Sequence, residues 1–167
     1  MTVRNLRLIG RRFTDRVVVT GMEGESTGME AAGGDLPGSG WSVVLVDDDS
    51  ATAEMYRLGL ESLGFKVKVA SDAAGLFSSI NGRVPDVIVL DWQLRGVQGD
   101  QVLHQIRMDD RIGSVPVFML SNFPATMDGA VDRVFAAGAL AWFEKIKTPP
   151  ALLATKLTEA LRSRTER

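Results

Sequence analysis

Pro85-Asp86-Val87-Ile88-Val89-Leu90-Asp91-Trp92-Gln93 is an aliphatic, largely β-branched run opened by a proline and closed by a lone aspartate. Such a run reads as a strand buried on both faces. Asp91 follows the last apolar residue, so it stands at the strand's carboxyl end, where ligands bind in open parallel sheets. Three other segments share this shape. Trp41-Ser42-Val43-Val44-Leu45-Val46 runs into Asp47-Asp48-Asp49, Val115-Pro116-Val117-Phe118-Met119-Leu120 into Ser121-Asn122, and Ala139-Leu140-Ala141-Trp142-Phe143-Glu144 into Lys145. Acids, an acid, a hydroxyl and a lysine delivered to one rim describe a site.

Helical patterns lie between these runs. Asp49 or Ser50 caps a helix through Leu63, with Ala51, Met55, Leu58 and Ser62 along one side and Gly64 as the stop. Lys66-Val67-Lys68-Val69 alternates with period two, and its outward lysines fit an edge strand protected against further pairing. Asp72 caps a short helix bearing Ala73, Leu76, Phe77 and Ile80. A third helix runs from Asp100 to about Met108 with Val102, Leu103 and Ile106 facing in, and a weaker one lies near residues 127–137. Thr148 caps and Pro149 opens a last helix with Leu153, Leu157, Ala160 and Leu161. Five strands, each followed by a helix, predict an α/β fold, a flavodoxin-like (βα)5 doubly wound parallel sheet. The edge character of the second strand favours the order 2-1-3-4-5.

The 167 residues, 45% hydrophobic and 24% charged, suit one domain plus an appendage. A net charge of −2 gives no overall push toward nucleic acid or an anionic membrane. Without cysteine there is no disulfide and no thiolate metal site, which is compatible with a cytoplasmic location. No apolar run is long enough to span a bilayer. Residues 1–20 carry Arg4, Arg7, Arg11, Arg12 and Arg16 against Asp15 alone, whereas residues 21–40 are acidic and glycine-rich. Residues 1–40 therefore read as a disordered N-terminal extension and linker, 41–163 as the domain and 164–167 as a tail. The basic head is compatible with a nucleic-acid or membrane arm, and Met22 and Met29 are alternative starts, but the plain disordered tail is the favoured reading.

If the first and third strands are neighbours, Asp47, Asp48 and Asp91 converge. Three crowded carboxylates repel unless a cation neutralises them. A small oxygen-seeking cation such as Mg²⁺ fits, using carboxylates, a backbone carbonyl and waters. Zinc does not, since the single His104 lies on the third helix, away from the rim. With the metal in place, one carboxylate can attack phosphorus and form an aspartyl phosphate. Asp91 is the best nucleophile because it stands alone on a central strand. Lys145 and the Ser121 hydroxyl complete the charge neutralisation that phosphoryl transfer needs.

Val44-Leu45-Val46-Asp47-Asp48-Asp49, Val87-Ile88-Val89-Leu90-Asp91, Gly99, Leu120-Ser121 and the stretch from Gly138-Ala139 to Lys145 resemble the receiver domain of two-component response regulators, here of a stand-alone type. The resemblance covers residues 41–163 and rests on separate motifs in the right order. It implies phosphotransfer to Asp91 from a histidine kinase or histidine phosphotransfer protein, with Mg²⁺ required. It implies direct metal binding by Asp48, water-mediated binding by Asp47, and a Gln93 backbone carbonyl ligand. Ser121 and Trp142 stand at the family's switch positions. Phosphate at the acceptor then alters the surface made by the fourth helix, fifth strand and fifth helix, for a downstream protein or for onward relay. Trp142, Phe143 and the exposed side of the last helix are expected to meet that partner. The sequence departs from the family at Arg95, Gln98, Asn122 and Ile146, where proline, an acidic residue, a small residue and proline are usual. These departures bear on rate, lifetime and switching geometry rather than on the acceptor chemistry.

The readings that compete are a haloacid-dehalogenase-like phosphatase and a receiver-like interaction module independent of phosphate. The first wants a second acid two residues after the nucleophile, and Gln93 stands there. The second leaves the acceptor, acid pair, hydroxyl and lysine without a purpose. The expectation is a phosphoacceptor that assists its own phosphorylation and dephosphorylation, not a conventional turnover enzyme.

Overall fold

A computed structural model of the chain describes residues 17–19, 36–125 and 129–166. Most of the basic head, most of the glycine-rich linker and the start of the helix read near Met127 lie outside the described residues. In chain order the elements are β1 Val17–Val19, β2 Ser42–Val46, α1 Ser50–Ser62, β3 Lys66–Ala70, α2 Ala73–Ser79 and β4 Val87–Asp91. They continue as β5 Gln93–Leu94, β6 Val97–Gln98, α3 Gly99–Met108, β7 Val117–Ser121, α4 Ala130–Ala136, β8 Ala141–Glu144 and α5 Pro150–Thr165.

The main sheet is parallel, in the order β1-β8-β7-β4-β2-β3. Its five strands β3-β2-β4-β7-β8 have the expected flavodoxin-like order. Successive strand residues face opposite sides, so each strand feeds two layers. Val44, Val46, Ile88, Leu90, Val117 and Met119 pack with α2, α3 and α4. Val43, Leu45, Val87, Val89, Phe118 and Leu120 pack with α1 and α5. Both faces of β4 and β7 are therefore buried, and only their ends are open to polar chemistry.

The sixth strand was not expected. Val17–Val19 pairs with β8 in parallel register, Val18 opposite Trp142. The composition of residues 1–40 argues against structure on average, but a local β-branched triplet can still add to an edge. Leu36–Gly40, read as linker, forms a turn against α1 and β3, where the Gly38 N–H donates to the Leu63 carbonyl at 2.8 Å. A Cβ on Gly38 would lie 2.1 Å from the Phe65 ring, so this contact admits only glycine.

Three helix details also differ from the sequence reading. The buried stripe of α1 is Ala53, Tyr56 and Leu60, whereas Met55 and Leu58 are exposed. Two apolar stripes run along α1, and the one carrying the tyrosine wins because its hydroxyl finds a partner across the interface. Thr148 is not the cap of α5. Pro149 takes that place with Pro150 in the first turn, while Thr148 is fully buried. Helix α5 continues to Thr165, into the stretch read as a tail.

Candidate functional site

Strands β2, β4, β7 and β8 end at one rim, and the residues after their last apolar positions meet there. Asp47, Asp48 and Asp91 each offer a carboxylate oxygen, and these oxygens lie within 4.8 Å of one another. Lys145, which follows β8, sends its Nζ to Asp47 Oδ2 at 2.6 Å and Asp91 Oδ2 at 3.1 Å. Its side chain is only 7% exposed, so this ammonium is committed to the acids.

The acids are not equivalent. Asp47 is buried, held by Lys145 and by the Asp49 N–H, which donates to its Oδ1 at 2.9 Å. Asp49 itself caps α1, accepting from the Thr52 N–H at 2.7 Å. Asp48 and Asp91 line an open cleft of about 340 Å³ together with Gln93, Arg95, Asn122 and Lys145. Among the described residues, Asp91 accepts a long 3.3 Å hydrogen bond from the Gln93 N–H besides its Lys145 contact. Burial pushes the Asp91 carboxyl above its ordinary value, the nearby Lys145 ammonium pulls it down, and Asp47 pushes it up again, with a net rise. For Lys145, burial works against the charge, but its hydrogen bond to Asp47 and the charge of Asp91 outweigh it and hold the ammonium protonated.

Ser121 ends β7 fully buried, and its Oγ accepts from the Phe123 N–H at 3.0 Å. It belongs to the same rim without lining the cleft. Gly99 packs under the site. Its N–H donates to the Trp92 carbonyl at 2.6 Å, and a Cβ would lie 2.7 Å from the Asp91 carbonyl oxygen. The β5–β6 hairpin, turning at Gly96 with φ 77°, carries Gln93 and Arg95 over the cleft. His104 is exposed on α3, away from the rim.

The Trp142 and Phe143 side chains do not form a contact surface. Both are at 0% exposure, which corrects the expectation that they meet a partner. A strand flanked by helices on both faces turns every side chain inward. Trp142 instead lies with its ring 5.5 Å from that of Trp92, the residue next to the Asp91 carboxylate. Ile146, at 88% exposure, is the outward residue of this stretch, in the short 3₁₀ turn of Lys145–Lys147.

Two residues escaped the sequence reading. Tyr56, on α1, donates its hydroxyl to the Thr148 carbonyl at 2.7 Å and approaches the Lys145 carbonyl at 3.3 Å. It ties α1 to the segment that positions the lysine. Burial, reinforced by Asp47, pushes its phenol up to about 12, so it remains a donor. Its place in the chain's i, i+3, i+7 stripe was the available signal. Glu144, buried at the end of β8, accepts from the Ala125 N–H at 3.2 Å and pairs with Lys147 at 2.6 Å. A glutamate ending an apolar strand gave no such signal.

One ammonium against three carboxylates leaves an excess of negative charge in an oxygen-only donor set. That set suits a hard divalent cation such as Mg²⁺ and offers nothing to a soft one.

The Response regulator receiver domain family matches residues 43–156. The chain is 31% identical over 109 residues to the Probable transcriptional regulatory protein TcrX of Mycobacterium tuberculosis, covering 65% of this chain and 43% of that protein. It is 30% identical over 82 residues to the Phosphate regulon transcriptional regulatory protein PhoB of Pseudomonas aeruginosa, covering 49% and 36%. It thus spans less than half the length of these relatives. Among solved structures it resembles a CheY-like response regulator receiver domain protein of Methanospirillum hungatei, with a TM-score of 0.67, 21% identity and coverage of 75% and 97%. A putative response regulator of Chloroflexus aurantiacus gives 0.64, 28%, 73% and 98%. Fold, acidic rim and family match agree, and the chain belongs to the response regulator receiver domain family.

Proposed function

We propose that this protein takes a phosphoryl group onto Asp91 from a phosphohistidine of a histidine kinase or histidine phosphotransfer protein. The observation that carries the reading is the single Lys145 ammonium shared between Asp47 and Asp91 while Asp48 and Asp91 open on the same cleft. An Asp91 carboxylate oxygen attacks phosphorus, the P–N bond to the donor imidazole breaks, and the electron pair returns to that nitrogen. Lys145 is placed to follow the charge from the carboxylate to a phosphoryl oxygen. The Ser121 hydroxyl, at the end of the adjacent strand, serves a second oxygen once its side chain is freed toward the cleft.

Mg²⁺ would be held by Asp48, Asp91 and the Gln93 backbone carbonyl, with Asp47 contributing through water. When bound it supplies neutralisation of the phosphoryl oxygens. Asp47 fits the indirect role because it lies behind the cleft, tied to Lys145 and the Asp49 N–H. Ser121 and Trp142 are the switch residues, passing the change at Asp91 to the surface made by α4, β8 and α5. Trp142 does so from inside, through its contact with Trp92, and a downstream protein or onward relay is the output. No helix among the described residues is long and apolar enough to cross a membrane; a cytoplasmic site of action is part of this proposal. So is the role of phosphoacceptor rather than turnover enzyme.

Acetyl phosphate with Mg²⁺ is the direct test. Intact mass should increase by one phosphoryl group, with the label mapping to Asp91 and disappearing in Asp91→Asn or on chelation. Undiminished uptake by Asp91→Asn would overturn the assignment. Beryllofluoride with Mg²⁺ should change the Trp92 and Trp142 fluorescence, and no change would favour a phosphate-blind module.

A further inference from the structure

The two edges of the main sheet are treated differently. β3, at one edge, exposes Lys66 and Lys68, charged residues that discourage another strand from adding. β8 has no such protection. Ala141, Trp142 and Phe143 are uncharged, and the backbone groups on their far side pair with Val17–Val19. Without that strand, β8 would present an unpaired edge between α4 and α5.

We propose that the β8 edge is a strand-addition surface and that Val17–Val19 is its resident occupant, held in cis and displaceable. A partner that adds an extended, β-branched segment there must first remove the chain's own strand. Three observations support this. The ladder is only three residues long, in register Val17–Ala141, Val18–Trp142 and Val19–Phe143. So short a ladder opens without unfolding the core. The triplet Val17-Val18-Val19 is β-branched throughout, the composition that edge pairing selects. The connection also reaches: residues 20–41 must cover about 25 Å, four strand spacings and one strand length, and extended they span more than twice that. The edge belongs to β8, the middle strand of the output face proposed above. The test involves no phosphate, so this reading and that one fail separately.

Residue-resolved hydrogen exchange on the full chain tests it. Alternate amides of a strand face opposite sides, so Val18→Pro and Val19→Pro are made separately, and at least one removes a donor to the β8 ladder. That variant should exchange β8 amides at least tenfold faster while β2 and β4 amides stay protected, and Val18→Thr should behave as the wild type. A peptide of residues 14–21 should then bind the proline variant at least tenfold more tightly than the wild type and restore β8 protection. Equal β8 exchange in the wild type and both proline variants, or no peptide binding to either, overturns the proposal. Wild-type β8 protection that falls on dilution overturns the cis assignment, because a second copy then supplies the strand.

Discussion

Strand β4 is bracketed by two aspartates whose surroundings are opposite in kind. Asp86, where the strand begins, accepts from both the Ser42 N–H and the Ser42 hydroxyl, each at 2.7 Å. Its own N–H donates to the Ser42 carbonyl at 2.9 Å. Asp91, at the other end, has one long backbone hydrogen bond and half a lysine. The first carboxylate draws both bonds to its Oδ2 and fastens β2 to β4. The second is buried beside Asp47, shares its lysine with that acid, and is held above its ordinary pKa. Asp86 ties two strands together through a neutral partner, whereas Asp91 sits among charges, where burial and a second carboxylate shift its titration.

The largest effect expected from perturbing this contrast is at Lys145. Lys145→Ala removes the ammonium that pairs with two buried carboxylates, and such a loss costs about 3–5 kcal/mol. Urea unfolding without divalent cations should show it, and phosphoryl uptake should fall by about 10²-fold or more. Asp86→Ala strips the partners from Ser42 and should cost about 1–3 kcal/mol. Uptake at Asp91 should be unchanged, and a comparable loss of uptake would erase the distinction between the two ends.

Asp91→Asn should move stability the other way, a net stabilisation near neutral pH smaller than either loss above, because one crowded charge is removed while Asp47 keeps Lys145. Chemical denaturation in chelator checks this, and a destabilised variant would mean that Asp91, like Asp86, serves mainly to fasten its strand. The smallest and sharpest signature is its pH dependence. A carboxyl whose folded pKa lies above its unfolded value of 3.8 favours folding while protonated. That contribution is complete below about pH 4 and is lost as pH rises through the folded value. The stability difference between Asp91→Asn and the wild type should therefore be present at neutral pH and vanish in acid. A difference independent of pH would assign the effect to packing.

Much of the site was legible in the chain. Asp47, Asp48, Asp91, Ser121 and Lys145 each follow an apolar run, and a parallel sheet brings such positions to one rim whatever the details of packing. The inequality among them was not legible. Burial separates Asp47 from Asp48, though the two are adjacent and chemically identical. The α1 face was misread for a related reason: Met55 and Leu58 are more apolar than Ala53, yet helix packing selected the stripe whose Tyr56 hydroxyl reaches Thr148. Trp142 was expected outside because only its position in the motif was visible, not the helices that enclose β8.

The sequence by itself determined the strand–helix alternation, the parallel sheet and its five-strand order, and the residues delivered to the carboxyl rim. These follow from short-range periodicity and from connections too short to permit other topologies. The tertiary structure alone decided which carboxylate is buried behind Lys145, which face of α1 is covered, and that a valine triplet from the N-terminal extension closes the β8 edge. Those outcomes depend on contacts between residues far apart in the chain, where desolvation, shared partners and edge pairing act and no local pattern records them.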